Sequence, residues 1–255
     1  MPRAIDLKHR LYSRVGRLAK ALGQETRLEI IEILAQCPRT VETLSQILKT
    51  DIKSVSAHLK VLHAAGLVRV RRQGRFRQYA VAGREVLLLA VLLRKTAEHL
   101  LPAADAGGKA AAAAGEEARG SDGEADRLGP NAGADALDAA RAVELAKNNA
   151  LVLIDVRPPE EFAAAHLPGA VNMPLETLEA HIDEISEHTP CAAYCRGAYC
   201  FLAQKAREVF KRRGRNLSIV REGVLEFLTD DKEGLLERPA GDSSPTKPDV
   251  ESRGF

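Results

Sequence analysis

Residues 194–200 read YCRGAYC. Two cysteines, Cys195 and Cys200, bracket an arginine, a glycine, an alanine and a tyrosine. Three chemistries use such a pair: a metal clip, a disulfide, or a loop that holds a reactive thiolate. A zinc site needs about four clustered ligands, and no second ligand pair accompanies Cys195, Cys200 and the nearby Cys191. The chain holds four cysteines, Cys37, Cys191, Cys195 and Cys200, among 255 residues. That is too few for a disulfide scaffold and fits a reducing cytosol. The surroundings favour the thiolate. A strand over residues 191–195 (CAAYC) and a helix over 201–214 (FLAQKAREVFKRRG) put Cys195 between a strand's carboxyl end and a helix's positive end. Backbone amides, the helix dipole and the adjacent cation of Arg196 all stabilise negative charge, which lowers a cysteine pKa to roughly 3.5–7.5 from about 8.5. Cys195 is expected to be a nucleophile at neutral pH, and Cys191 to be buried and inert.

The elements that must position this loop are readable. Residues 151–157 (LVLIDVR) form a continuous apolar run of strand type, buried on both faces, and Pro158 suits the first turn of a following helix. Residues 217–220 (LSIV) make a further strand, followed by a short helical GVLEFL. Strands alternating with helices predict a compact α/β domain with a central parallel sheet, whose ligands lie beyond the carboxyl ends of the strands.

The charge pattern divides the chain. Residues 1–100 carry 19 Lys and Arg against 8 Asp and Glu, while residues 101–255 carry 18 against 27. A basic first part and an acidic second part predict two domains with different partners, the basic one a candidate for nucleic acid. Residues 101–133 are Ala, Gly and acidic residues with little to bury, and read as a flexible linker. Residues 237–255 are polar and proline-containing and read as a disordered tail. The folded units are therefore expected at 5–100 and 134–236. The N-terminus lacks the apolar run of a signal peptide. The apolar stretch at 86–93 (VLLLAVLL) falls well short of the ~18 residues of a membrane span.

In the first unit, Leu28, Ile31, Leu34 and Ala35 follow helical spacing up to the stop at Pro38. Thr40 caps a short helix over VETLSQIL, and Asp51 caps the next, IKSVSAHLKVLHAAG, ended by Gly66. Ile52, Val55, Leu59 and Leu62 make its buried stripe. Lys53, Ser54, Ser56, Ala57 and Lys60 are left on the other face. Two alternating strands then flank Gln73-Gly74, and Arg69, Arg71, Arg72, Arg75 and Arg77 crowd that hairpin. Helix, turn, helix and basic hairpin predict an α+β winged helix-turn-helix domain. Its second helix would enter the major groove of double-stranded DNA, with the hairpin along the backbone.

These two sets of motifs resemble two families. ALGQETRLEIIEIL with SVSAHLKVLHAAGLVRVRRQGRFRQYAV, over residues 12–98, resembles the ArsR family of bacterial repressors. The resemblance implies a homodimer with terminal helices across a two-fold axis, and Leu87, Leu88, Val91 and Leu92 offer an apolar face for it. Many members sense metals through paired cysteines on the helix that here reads VETLSQIL, which has none, and the last helix offers only Glu98 and His99. No metal site is expected. Lone Cys37 reads as a small hydrophobe at a helix end.

DVRPPEEFAAAHLPGAVNMP followed by YCRGAYC, over residues 134–230, resembles the rhodanese homology domain. The resemblance implies that Cys195 takes sulfane sulfur from a donor such as thiosulfate or a persulfide and passes it to an acceptor thiol or cyanide, with a Cys195 persulfide as covalent intermediate and no cofactor. The amides of Arg196, Gly197, Ala198, Tyr199 and Cys200 would cradle the anionic sulfur, and the Arg196 side chain would attract anionic donors. Asp155, Arg157, Glu161 and His166 match the first block and are expected to be scaffold, with Asp155 and Arg157 ordering the floor of the site and His166 packed and hydrogen-bonded. Phosphatases of the same fold place an arginine six residues after the cysteine, where this chain has Phe201. Glu222-Gly223 and Phe227 replace the usual Gly-Gly and tryptophan near the end. Cys200 stands where the family often has a basic or hydroxyl residue. It either resolves an oxidised Cys195 or merely fills the start of the helix.

The combined expectation is a cytoplasmic regulator, a repressor linked to sulfur or thiol metabolism. The alternatives are a sulfurtransferase whose DNA-binding domain serves autoregulation or localisation, and a scaffold without turnover. A flexible linker of about 30 residues, spanning roughly 30 Å, transmits no strain. A signal between the halves therefore needs docking of the acidic part on the basic one, in competition with DNA, or sulfur transfer from Cys195 to Cys37.

Overall fold

The computed structural model describes residues 4–100, 136–229 and 236–238. The expected linker at 101–133 lies outside the described residues, as does the tail apart from Glu237 and Arg238.

The first unit runs α1 (Ala4–Leu22), α2 (Glu25–Gln36), α3 (Val41–Leu48), α4 (Ile52–Ala64), the hairpin β1 (Val68–Gln73) and β2 (Phe76–Val81), and α5 (Arg84–Leu100). The expected caps are present. The Thr40 side chain accepts from the Thr43 amide, and Asp51 accepts from the Ser54 amide at 2.9 Å. Gly66 adopts φ 77, the left-handed conformation that closes α4 without a Cβ clash. Gly74 (φ 60) turns the hairpin, in which Val68 pairs with Val81 and Gln73 with Phe76. Arg39 adds an isolated bridge to Tyr79, so the wing carries a short third segment.

The core gathers Ile30, Ile31, Ile33, Leu34, Leu44, Val55, Leu59 and Leu62 with Val68, Leu87 and Val91. Three expectations change here. Leu28 is 36% exposed, because α2 turns Ile30 and Ile33 inward instead. Ile52 is half exposed, because the first turn of α4 projects beyond the core. Of the four residues expected on the dimer face, Leu87 and Val91 belong to this domain's own core, and only Leu88 and Leu92 face outward.

The second unit is a five-stranded parallel sheet in the order β3 (Ala136–Leu137), β7 (Ser218–Val220), β6 (Cys191–Tyr194), β4 (Val152–Asp155), β5 (Ala170–Asn172). Helices α6 (Ala139–Lys147), α7 (Pro159–Ala164), α8 (Leu178–His181), α9 (Leu202–Arg212) and α10 (Val224–Thr229) flank it. The strand period of two sorts the side chains. Cys191, Ala193 and Ile154 pack on one face with Ala203, Ala206 and Phe210, while Ala192, Tyr194 and Leu153 pack on the other with Ala139, Ala142 and Phe227. His166 pairs by backbone with Glu237, so an ordered contact falls one residue beyond the expected boundary at 236.

The two units meet. Leu225 of α10 is buried within the core of the first unit, and Leu228 packs against both. Burial of one such leucine contributes about 1.5–3 kcal/mol. Arg84 caps the end of α10, donating to the Leu228 carbonyl at 3.3 Å and the Thr229 carbonyl at 2.8 Å. Arg157 donates to the Gln36 side-chain oxygen at 2.8 Å.

Candidate functional site

Cys195 follows β6, the central strand, and its loop ends at α9. The chain holds that loop closely. Val224 and Leu225 donate their amides to the Cys195 and Arg196 carbonyls at 3.4 and 2.8 Å. Gly223 lies so near that an added Cβ would collide with the Cys195 carbonyl and the Gly197 amide. Glycine is therefore required there by close backbone approach. Cys195 is 1% exposed and Cys200 7%.

The electrostatics differ from expectation. Burial pushes the Cys195 thiol well above its ordinary range, and its hydrogen bond to the Cys200 thiol adds to the shift. Its sulfur lies 3.1 Å from the Cys200 carbonyl and 3.7 Å from the Gly197 carbonyl, groups that repel an anion. Cys200 moves the other way. The Cys195 thiol donates to it and, against the cost of burial, the Leu202 amide and the Arg196 charge lower its pKa. Helix end and arginine thus stabilise a thiolate as the sequence suggests, but at Cys200, with the proton held on Cys195.

The cradle is also partly committed. The Ala198 amide points at Glu226 Oε1 at 3.4 Å, and the Cys200 amide donates to the Gly197 carbonyl at 3.0 Å. Arg196 does not project its charge toward an incoming donor. Its Nε and Nη2 grip the wholly buried Glu161 at 2.9 and 2.7 Å, and that carboxylate keeps the guanidinium protonated despite burial. Asp155 and Arg157 form a fully buried pair at 2.6 Å. Arg157 spends its remaining donors on the Ala165 carbonyl and Gln36. The pair braces the segment after α7 and its junction with α2. His166 stacks on Phe162 at 3.8 Å and bonds Glu237, a packing role. Phe227 is a core residue, and Cys191 is buried with its thiol pKa raised by burial.

The first domain completes the surroundings of the loop. Arg39 donates to Glu161 Oε1 at 3.2 Å, so one carboxylate bridges the arginine beside Cys195 and the arginine paired to the wing. Arg94 of α5 bonds Glu226 Oε1 at 2.7 Å and lies 4.7 Å over the Tyr199 ring, while Glu226 Oε2 accepts the Gly223 amide at 2.9 Å. Glu32 of α2 is half-buried near Arg94 and Arg196, and desolvation raises its pKa. Sequence reading missed Arg39, Arg94, Glu226 and Glu32. Arg39 and Arg94 meet their carboxylates more than a hundred residues away, Glu32 and Arg94 are themselves far apart in the chain, and no local pattern marks these residues.

The candidate nucleic-acid face is on another side of the first domain. Lys53, Ala57 and Lys60 of α4 are exposed, and Ser54 and Ser56 are half-buried beside them. Arg71, Arg72, Arg75 and Arg77 are exposed on the wing. Docking of the second domain engages Gln36, Arg39, Arg84 and Arg94 and leaves these positions uncovered, so it does not compete for that face. Cys37, at the end of α2, is half-buried, and burial lifts its thiol to about 11. No described helix is long and apolar enough to cross a membrane.

Comparison with known proteins bears on both halves. Residues 24–70 match the model of the bacterial regulatory protein, arsR family, and residues 138–230 match the rhodanese-like domain. The HTH-type transcriptional regulator Rv0324 of Mycobacterium tuberculosis is 34% identical over 223 residues, covering 87% of this chain and 90% of its own length. The uncharacterized protein YqhL of Bacillus subtilis is 44% identical over 46 residues, 18% of this chain and 36% of its own. The homodimeric winged helix-turn-helix DNA-binding domain Mb0332 of Mycobacterium bovis is 35% identical, covering 40% of this chain and 94% of its own, with a TM-score of 0.37. Winged helix, parallel-sheet domain and a relative alike along nearly its whole length lead to one conclusion: the chain belongs to the ArsR family of bacterial regulatory proteins, in the form that carries a rhodanese-like domain.

Proposed function

We propose that this protein is a cytoplasmic, dimeric, DNA-binding repressor whose affinity for its operator responds to sulfane sulfur carried on Cys195. The observation that carries this reading is the position of Glu161, shared between Arg196 beside Cys195 and Arg39 of the DNA-binding domain. A loop used only for turnover has no need of that contact. A change at Cys195 that shifts Arg196 alters the partner of Arg39, and through Arg39 the pairing to Tyr79 of the wing. That supplies the differential contact any ligand-driven shift requires.

Other features support the parts. Arg72 and Arg77 are direct cross-strand partners, a like-charge pairing that costs stability unless an anion such as a DNA phosphate lies over it. Leu7, Leu11, Tyr12 and Val15 of α1, with Leu88 and Leu92 of α5, expose apolar surface suited to a two-fold interface between copies. The donor would be a thiosulfate or persulfide and the acceptor a thiol. Burial favours the protonated form of Cys195, so sulfur uptake needs its proton moved off, and the Cys200 sulfur, which accepts its hydrogen bond, is placed to take it.

The test is operator binding by the full chain with and without a sulfur donor, in wild type and Cys195→Ser. The reading expects an affinity change in wild type and none in Cys195→Ser. Equal affinity with and without donor in wild type overturns it in favour of a sulfurtransferase that merely shares a chain with a DNA-binding domain.

A further inference from the structure

Cys200 has a role that the rhodanese reading leaves unassigned. Its sulfur is in hydrogen-bond contact with Cys195, and both thiols are nearly sealed from solvent. An external acceptor reaches Cys195 only after the loop opens, whereas Cys200 is already in place. Internal groups held this way react with effective molarities of about 10⁵ M or more when well aligned. The Leu202 amide at the start of α9 and the Arg196 charge favour the thiolate form of Cys200, the form that attacks sulfur.

Resting on the persulfide reading of Cys195, we propose that Cys200 is its resolving thiol and that the pair converts a bound sulfane sulfur into sulfide and a Cys195–Cys200 disulfide. The Cys200 thiolate attacks Cys195 Sγ within the persulfide. The bond between Cys195 Sγ and the outer sulfur breaks, and that sulfur leaves with the electron pair as hydrosulfide, taking the proton that Cys200 received from Cys195 during sulfur uptake and gives up as it attacks. The sulfane sulfur gains two electrons and the two cysteines lose two, so no further oxidant is needed. The new bond ties together the two ends of the Arg196–Gly197–Ala198–Tyr199 segment, whose side chains and amides bond Glu161 and Glu226 and lie against Arg94. A transient sulfur load thereby becomes a lasting covalent state of the segment that touches the DNA-binding domain.

The experiment treats reduced, desalted full-length protein with thiosulfate, and separately with an organic persulfide, under argon. Intact mass, sulfide release from thiosulfate and tryptic mapping are read. Trypsin cuts after Arg196, between the two cysteines, so a disulfide appears as a cross-linked peptide pair. In wild type the expected product is lighter than the dithiol by about 2 Da, with sulfide released near one equivalent per chain. Cys200→Ser should instead hold a stable adduct of ~32 Da and release no sulfide. Cys195→Ser should do neither. A wild type that keeps the ~32 Da adduct on Cys195 as Cys200→Ser does overturns the resolving role and leaves the persulfide reading intact. An adduct found on Cys200 shows attack on the outer sulfur and overturns the disulfide. No mass change and no sulfide in wild type, together with no adduct in Cys200→Ser with either donor, removes the persulfide reading and the proposal with it.

Discussion

The arginines of the wing and those of the domain junction have the same side chain and opposite circumstances. Arg71, Arg75 and Arg77 are exposed and make no ion pair among the described residues. Arg39, Arg157 and Arg196 are buried or nearly so, and each meets a carboxylate that is itself wholly buried. The wing holds its charge for something outside the chain. The junction spends its charge inside, where desolvation makes a lost partner costly. Net charge along the sequence cannot separate these uses, because both sets count equally toward the basic first part and only the fold sorts them.

The largest break in this contrast comes from Glu161→Ala. It leaves Arg39 and Arg196 facing one another without their shared carboxylate, and urea unfolding should show a loss of about 3–5 kcal/mol, the usual cost of an orphaned buried charge. A result within ~0.5 kcal/mol of wild type, the range of surface substitutions, would mean the junction opens to water freely. Next is the coupling itself. A sulfur donor should change operator affinity about 5- to 150-fold, equivalent to ~1–3 kcal/mol. Arg39→Gln should reduce that change to about twofold or less while keeping binding in the absence of donor.

The wing should behave in the opposite manner. Replacing Arg71 and Arg75 by alanine should leave stability within ~0.5 kcal/mol. It should weaken binding to all DNA sequences alike and reduce the magnitude of the salt slope by about two. Changes at Lys53 or Ser56 should alter sequence preference instead. The smallest expected effect is at Cys37. Its folded thiol keeps its proton up to about 11, whereas an unfolded cysteine ionises near 8.5. Stability is therefore unaffected below the unfolded value and falls as pH rises from there toward about 11. Denaturant midpoints of wild type and Cys37→Ala at neutral and alkaline pH should diverge in that direction. Parallel curves would contradict the burial of the thiol.

Local physics made much of this legible in sequence. Thr40, Asp51 and Gly66 mark helix ends through their own backbone bonding, and the strand-loop-helix around Cys195 follows from apolar runs and a helical period. The short edge strands β3 and β5 escaped, because two or three residues carry no periodicity. The charge state of the cysteine pair escaped as well. Helix dipole and Arg196 were visible, but which sulfur they favour depends on the Gly197 and Cys200 carbonyls, whose direction no sequence pattern encodes. The junction was illegible for a further reason: Arg39 and Glu161 are 122 residues apart, and neither has an unusual neighbourhood in the sequence.

The placement of Leu225 has a consequence for how the chain is made. A ribosome releases residues 1–100 long before residue 225, and domains fold as units during synthesis. The winged helix therefore first closes without Leu225, leaving more open a notch beside Ile31 and Val91 that this side chain lines in the finished fold. Until the second half emerges, that notch is exposed apolar surface open to chaperones or to another nascent chain. The rhodanese-like domain thus finishes the core of a neighbour synthesised before it, and a chain cut short between the two would leave the ribosome with that core incomplete.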